Sequence, residues 1–374
     1  MIMSFATSHK HGESFEMNFR NVFGCVFLGH CSLIFGLIGI LANCVFIRIL
    51  TRHKEVSLYF FNWLLTVLAV IDVIFLMCGV YEAIRQHFYQ SYVMDHVYAG
   101  VVHPFRSMLM VSSIYMLIVL SYERFKAVCG TPTYQRTVKE MPNPWSHLFF
   151  YVGPVVSGSI LFYIPKFWEL EMKSSVVEPT MNMSEVKNTS EIYKETEIVV
   201  SELAFTPLRH NKIYVLWYVT ILNTVMTSLL PFVLLVYLNL QIHHAIKRFH
   251  VRRSTRRTSK RTRQSYNVGQ AIVLLIIVCV FAFCHILRFV LNIAEIINHE
   301  NERKANSAGC VGVKYWMFVA TLLSNFLIIV NSSANLFVYC IGSKDFRGIL
   351  ISTMLSTFMS IKQKLSTFSR YYCM

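Results

Sequence analysis

The stretch LYFFNWLLTVLAVIDVIFLMCGVYEAI, from Leu58 to Ile84, is apolar for most of its length and carries an acid, Asp72, near its middle. A helix needs about 20 predominantly apolar residues to cross the hydrocarbon core of a bilayer. Six further stretches have similar length and character: Phe23–Leu50, Tyr98–Lys126, Ser146–Phe167, Ile213–Ile242, Val268–Ile296 and Val313–Ile341. Because a bilayer excludes open strand edges, we expect all seven to be helices, numbered segments one to seven in chain order.

This pattern predicts an all-α membrane protein, a seven-transmembrane-helix bundle over residues 23–341. An extracellular tail is expected at residues 1–22, and a cytoplasmic region at residues 342–374. Apolar and polar residues alternate over Lys344–Ser360, which predicts a short amphipathic helix on the membrane surface. The composition, 55% hydrophobic and 15% charged residues, agrees with this class.

Basic residues in short loops mark the cytoplasmic side of a membrane protein. The connection after segment five carries nine Lys and Arg between Lys247 and Arg263 and no acid, which predicts an extracellular N-terminus in the plasma membrane. The loop between segments four and five then lies outside, and its sequons at Asn182 and Asn188 are either glycosylation sites or unused. The net charge of +15 lies mostly in that basic connection. We therefore expect anionic lipid and a cytoplasmic protein as partners, and no nucleic acid.

Asp72 lies at mid-membrane depth, where a carboxylate needs a cation, a proton or several hydrogen-bond donors. Polar residues at similar depth are expected to surround it: Asn43, Ser113, Asn331, Ser332 and Asn335. With Asp72, these oxygens could hold one small cation such as sodium. The alternative is a polar network that only locks the helices together. No metal-spaced His and Cys set and no phosphate-binding glycine loop occurs, so we expect no enzymatic activity and no other cofactor.

Glu123-Arg124-Phe125 closes segment three at the predicted cytoplasmic edge, where an arginine can pair with its neighbour and later be released. Position alone would also fit an arginine that simply extends to the membrane surface. Six motifs, taken together in their order along the chain, decide between these two interpretations. They are Asn43, Leu68–Asp72, Glu123–Phe125, Pro231, Phe281–His285 and Asn331–Tyr339.

In their order and depth, these motifs resemble the rhodopsin-like (class A) G-protein-coupled receptors, over about Val22 to Leu355. The resemblance implies a heterotrimeric G protein as partner, with arrestin and a receptor kinase as further partners. It implies an activation switch of Glu123, Arg124, Asn335 and Tyr339. Leu336 and Leu287 stand where segments seven and six would have proline, so the kinks there must be milder or have another cause.

Three stretches are similar to invertebrate FMRFamide-type neuropeptide receptors: Ile164–Glu169, Ser121–Cys129 and Arg288–Asn292. This narrower resemblance implies an extracellular peptide ligand. A chemosensory receptor of the same fold for a small environmental ligand is the alternative, and a seven-helix transporter is a third class. The absence of a lysine in the middle of segment seven and of inverted repeats with broken helices disfavours a transporter.

The resemblance places a ligand pocket near the outer ends of the segments. Arg106 stands where amine receptors have aspartate, which argues against an aminergic ligand. The candidate pocket residues are Glu82, His103, Arg106, Arg288, Asn292 and Glu295. Either Glu82 or Glu295 receives the arginine of an amidated peptide, or Glu82 pairs with Arg106 and an acid such as Glu295 pairs with Arg288 for structural reasons.

Most rhodopsin-like receptors tie the outer end of segment three to the second outer loop by a disulfide. Here Ala99 occupies the first position, and residues 169–212 contain no cysteine. Of the ten cysteines, Cys25 and Cys310 lie near the predicted outer face, either as a bridge between segments one and seven or as free thiols.

Overall fold

A computed structural model describes residues 29–52, 60–89, 91–129, 144–177, 198–253, 261–307, 315–342 and 346–356, with positions 359 and 362. Segments one to three are the helices His30–Arg52, Phe60–His87 and Tyr92–Cys129. Segment four is Pro144–Tyr163 with the 3-10 turn Ile164–Trp168. Segment five is Tyr214–Leu222, Val225–Leu229 and Leu230–Arg253, segment six is Arg261–Ser307, and segment seven is Tyr315–Ser333 and Asn335–Gly342.

The predicted bundle is confirmed. Six helices are long and apolar enough to cross a membrane, and the bent pair of segment seven makes a seventh if it counts as one span. Segment three begins at Tyr92, several residues before the predicted start, because Ser91 caps it by accepting a hydrogen bond from the Met94 backbone N–H at 3.3 Å. A short apolar helix, Phe346–Ser356, follows the bundle.

The largest apolar cluster joins segments one, two, three, five, six and seven. Phe46, Leu64, Leu117, Leu274 and Val338 are among its members, and Leu64 and Leu274 are fully buried. Lipid tails are as apolar as leucine, so close packing and hydrogen bonds, rather than removal from water, stabilise such an interface.

Two prolines explain one π-helical turn each, Tyr98–Val102 in segment three and Val225–Leu229 in segment five. Pro104 and Pro231 have no N–H to donate to the carbonyl four residues earlier. The residue before each proline instead completes a π-helical turn: the N–H of His103 donates to the Tyr98 carbonyl, and that of Leu230 donates to the Val225 carbonyl. The extra residue in each turn rotates the outer part of the segment relative to the inner part.

Segment seven bends by 53° between Ser333 and Asn335, although no proline lies there. The side-chain amide of Asn43 donates to the Ser332 carbonyl at 2.9 Å. In an uninterrupted α-helix that carbonyl would be the acceptor for the N–H of Leu336. Segment seven is therefore kinked although it lacks the proline, and a side chain from segment one contributes to the kink.

The loop after segment four forms a β-hairpin that the sequence did not predict. Strand β1, Leu170–Val177, pairs antiparallel with β2, Ile198–Phe205, with Leu170 opposite Phe205. We call this end of the bundle the hairpin end and the opposite one the Arg124 end. Residues 1–28 lie outside the described part of the chain, so the tail boundary at residue 22 stays a prediction.

Candidate functional site

A partly buried ion pair links segments two and three at the hairpin end. Arg106 Nη1 lies 2.7 Å from Glu82 Oε2, and the hydroxyl of Tyr98 donates to Glu82 Oε1 at 2.9 Å. The side chains of Arg106 and Glu82 are only 21% and 17% exposed. The guanidinium of Arg106 also lies 5.4 Å from the centre of the Phe75 ring. The expected pairing of Glu82 with Arg106 is thus present in this structure.

A second ion pair, which sequence reasoning missed, lies beside the first. Arg85 Nη1 and Asp95 Oδ1 are 2.5 Å apart, and both residues are buried. The guanidinium of Arg85 lies 4.1 Å from the centre of the Tyr98 ring, whose hydroxyl binds Glu82. Tyr98 therefore connects the two ion pairs, and both fix the hairpin end of segment three against segment two.

Glu169, directly before the hairpin, is the centre of a third polar cluster that the sequence did not single out. Its carboxylate accepts a hydrogen bond from Tyr214 at 2.8 Å and lies 3.3 Å from Lys166 Nζ and 3.7 Å from His103 Nε2. Burial alone would raise the pKa of Glu169, but the His103 ring, the Lys166 charge and the Tyr214 hydroxyl together lower this pKa to about 2. Glu169 is therefore ionised at physiological pH.

The candidate residues of segment six are only partly brought to this site. Arg288 Nη1 donates to Asn325 Oδ1 of segment seven at 3.3 Å. Asn292 is buried, and its amide nitrogen has no hydrogen-bond partner within the described part of the chain. The side chain of Glu295 is not among the described ones, so its pairing with Arg288 stays a prediction. His285 is buried and stacks on Phe281, with ring centres 4.2 Å apart.

The polar residues around Asp72 form a connected network at mid-membrane depth. The hydroxyl of Ser113 donates to Asp72 Oδ1 at 2.8 Å, and the amide of Asn335 donates to Oδ2 at 2.7 Å. Ser113, Asn331 and Ser332 line a cavity of about 10 Å³ in the same region. Asn43 is connected to the network only indirectly, because its side-chain amide donates to the Ser332 carbonyl. These carboxylate, hydroxyl and amide oxygens fit the ligand preference of a small hard cation.

The four predicted switch residues are all buried, with Asn335 in the Asp72 network and Glu123, Arg124 and Tyr339 towards the Arg124 end. Arg124 is 4% exposed, and its guanidinium lies 3.6 Å from the centre of the Phe61 ring of segment two. Tyr339 packs against Phe46 and Phe346, with ring centres 5.0 Å and 5.6 Å away. Arg124 and Tyr339 thus lie against aromatic rings in this conformation.

Several sequence predictions fall outside the described residues. They are the glycosylation sites Asn182 and Asn188 and the bridge between Cys25 and Cys310. Among the described cysteines, seven are free thiols: Cys31, Cys44, Cys78, Cys129, Cys279, Cys284 and Cys340.

The comparison with protein families agrees with this arrangement. The family model of the 7 transmembrane receptor (rhodopsin family) matches residues 42–339. The chain therefore belongs to the rhodopsin-like receptor family. It is similar to the FMRFamide receptor of Drosophila melanogaster, with 26% identity over 328 residues, or 85% of this chain and 52% of that receptor. It is also similar to the FMRFamide peptide receptor frpr-18 of Caenorhabditis elegans, with 24% identity over 266 residues, or 70% of this chain and 52% of that receptor. The chain thus spans about half the length of these curated relatives.

Proposed function

We propose that this chain is a G-protein-coupled receptor that binds an extracellular FMRFamide-like neuropeptide and activates an intracellular heterotrimeric G protein. The observation that carries the proposal is the partly buried Glu82–Arg106 pair near the hairpin, at the opposite end of segment three from the buried Arg124. A ligand that alters the first site acts on the same helix that carries the second. The names of both relatives refer to FMRFamide, which favours a peptide over a small environmental ligand.

The Glu82 carboxylate is the proposed receptor for the arginine of the peptide. In the structure this carboxylate already contacts Arg106, so a ligand guanidinium must share or replace that contact. Replacement would keep a cation on the Glu82 carboxylate, but the Arg106 guanidinium would then need an acceptor from the peptide or from another residue. His103, Arg288, Asn292 and Glu295 complete the proposed pocket, with Glu295 as the alternative acceptor.

Activation is proposed to be a population shift, because a ligand changes a conformational equilibrium only by binding one state better than the other. In the active state, Arg124 would leave its place on the Phe61 ring and help to form a cleft for the G protein. Glu123, Asn335 and Tyr339 complete this proposed switch. Arrestin and a receptor kinase are further proposed partners.

A sodium ion is the proposed occupant of the Asp72 cluster, with Ser113, Asn331, Ser332 and Asn335 as its other ligands. A cavity of about 10 Å³ is close to the space that one water-sized sphere occupies. The bound cation would neutralise the buried carboxylate. Replacing sodium chloride by choline chloride should raise agonist affinity in the wild type and leave it unchanged in Asp72→Asn.

We place the receptor in the plasma membrane with the hairpin end outside, where Asn182 and Asn188 would be glycosylated. The basic connection after segment five would then face the cytoplasm and its anionic lipid. An epitope inserted in residues 254–260 should bind antibody only after the cells are permeabilised. Binding to intact cells would contradict this orientation.

The central test is a G-protein activation assay in cells that express the full chain, challenged with FMRFamide and a panel of other amidated peptides. We expect at least one peptide to activate the wild type, and Arg124→Ala to be expressed at the surface but inactive. Silence across the panel, with surface expression verified, would contradict the peptide proposal and favour chemosensation.

A further inference from the structure

We propose that Glu169 is a positioning residue that fastens the hairpin to the bundle without a covalent bond, in place of the disulfide that the sequence lacks. The inference concerns the way in which the hairpin is held, and it does not depend on the identity of the ligand. It rests on four observations: an apolar contact at the missing cysteine position, a carboxylate that binds the end of segment four and the start of segment five, a backbone closure of the hairpin, and a link to Glu82.

The position of the missing cysteine is occupied by an apolar contact. Ala99 is 5% exposed and belongs to one buried cluster with Tyr98, Val102 and Leu170, the first residue of β1. The hairpin thus meets segment three where the disulfide would otherwise lie. Because apolar packing has no strong directional preference, this contact alone would not fix the orientation of the hairpin.

The direction is supplied by the Glu169 carboxylate, which binds Lys166 and Tyr214 and faces the His103 ring at 3.7 Å, beyond hydrogen-bond distance. His103 belongs to segment three, Lys166 to the end of segment four, and Tyr214 to the start of segment five. Hydrogen bonds and ion pairs to a buried carboxylate are stronger and more directional than those at the surface. Only 2% of Glu169 is exposed, so water competes little for these contacts.

Backbone contacts transmit this hold from β1 to β2. The N–H of Thr206, directly after β2, donates to the Glu169 carbonyl at 3.1 Å. The Thr206 hydroxyl donates to the Trp168 carbonyl at 2.5 Å. The residue after β2 is therefore hydrogen-bonded to the two residues before β1, one of which is Glu169 itself.

The hairpin is also connected to the proposed ligand site. Leu170 packs in the same cluster as Tyr98, and the hydroxyl of Tyr98 donates to Glu82. Loss of the Glu169 contacts would loosen Leu170 first and Tyr98 next. We therefore expect the position of Glu169 to affect the affinity for agonist without a contact between Glu169 and the peptide.

Hydrogen–deuterium exchange of the purified full chain, with and without dithiothreitol, tests the anchor. In the wild type, the amides of β1 and β2 should exchange at rates that differ by less than twofold between the two conditions. Glu169→Gln should raise these rates about tenfold. Glu171→Gln is the matched control, because Glu171 is an exposed glutamate of β1, and it should leave the rates unchanged.

Two results would overturn the proposal: hairpin exchange that the reductant accelerates in the wild type, or wild-type rates in Glu169→Gln. If Glu169→Gln does not fold, Tyr214→Phe removes a single hydrogen bond and should raise the rates about threefold; unchanged rates would count against the anchor.

Where FMRFamide activates the wild type, Glu169→Gln should raise its half-maximal concentration with the maximal response retained. A loss of potency without faster exchange would contradict a positioning role and indicate direct ligand contact.

Discussion

Replacement of Arg106 by methionine should destabilise the receptor, and removal of the Glu82 charge as well should restore most of the loss. Methionine fills similar space but cannot form the ion pair. Of the Glu82 contacts described above, only the hydrogen bond from the Tyr98 hydroxyl then remains. The single change Arg106→Met therefore leaves a partly buried charge without its cation. The double change Glu82→Gln with Arg106→Met removes both charges.

The stability lost in Arg106→Met depends on how deeply the Glu82–Arg106 pair is buried. Breaking a fully buried pair by removing one partner costs about 3–5 kcal/mol, whereas an exposed pair contributes at most about 1 kcal/mol. Both side chains are about one fifth exposed, and Tyr98 still donates to the carboxylate, so a cost of about 2 kcal/mol is expected. In a chain of 374 residues, with an unfolding entropy of about 2.1 cal/mol/K per residue, such a loss lowers the unfolding temperature by about 2–3 °C.

Thermal unfolding of the purified receptor, followed with a dye that fluoresces on reaction with thiols, measures this change. Buried Cys284 makes the chain suitable for the assay, because unfolding exposes its thiol. Arg106→Lys, which keeps the positive charge, is the control and should lose less stability than Arg106→Met. The reasoning would be refuted if the double variant were as unstable as the sum of the two single changes, since that would mean that the charges do not interact.

Three further results are expected. Leu336→Pro should change the free energy of unfolding by less than about 1 kcal/mol, because Leu336 lies in the first turn after the bend, whereas Leu274→Pro within a continuous helix should cost about 3 kcal/mol or more; thermal unfolding compares the two. Phe61→Leu removes the ring beneath Arg124, a contact of about 1 kcal/mol, and should raise basal G-protein activation about fivefold; an unchanged basal signal would show that this contact does not hold the inactive state. The folded-state pKa of Glu169, about 2, lies below its ordinary value of 4.5, so the stability of the wild type relative to Glu169→Gln should be complete above about pH 4.5 and decrease as the pH falls towards 2. Thermal unfolding across this pH range measures that difference, and a difference already lost near pH 6 would contradict it.

The sequence predicted the bundle because the signal for a membrane helix is long and local. A run of apolar residues is sufficient to identify segment two, and the motif at Asn331–Tyr339 identifies the family without knowledge of any contact. The same approach gave the pairing of Glu82 with Arg106 as one of two alternatives, since buried charges are usually paired, and it left open whether Glu82 receives the ligand instead.

The hairpin and the Glu169 cluster could not be predicted in this way. A two-stranded hairpin depends on pairing between residues far apart in the chain, such as Leu170 and Phe205, and the strand signal is weak over such short runs. Lys166 and Glu169 were visible within the stretch Ile164–Glu169, but His103 and Tyr214, which also contact Glu169, belong to other segments. The early start of segment three was missed because its cap, Ser91, lies beyond the apolar run that marks the helix.

The bend in segment seven differs chemically from one made by proline. A proline permanently removes a donor, whereas Leu336 keeps its N–H, and the Ser332 carbonyl is occupied by an amide that belongs to another helix. If segment one shifts and withdraws Asn43, the carbonyl becomes available to the backbone, and the two halves can merge into one straight rod. The bend therefore depends on a contact between segments one and seven, whereas a proline would build it into segment seven itself.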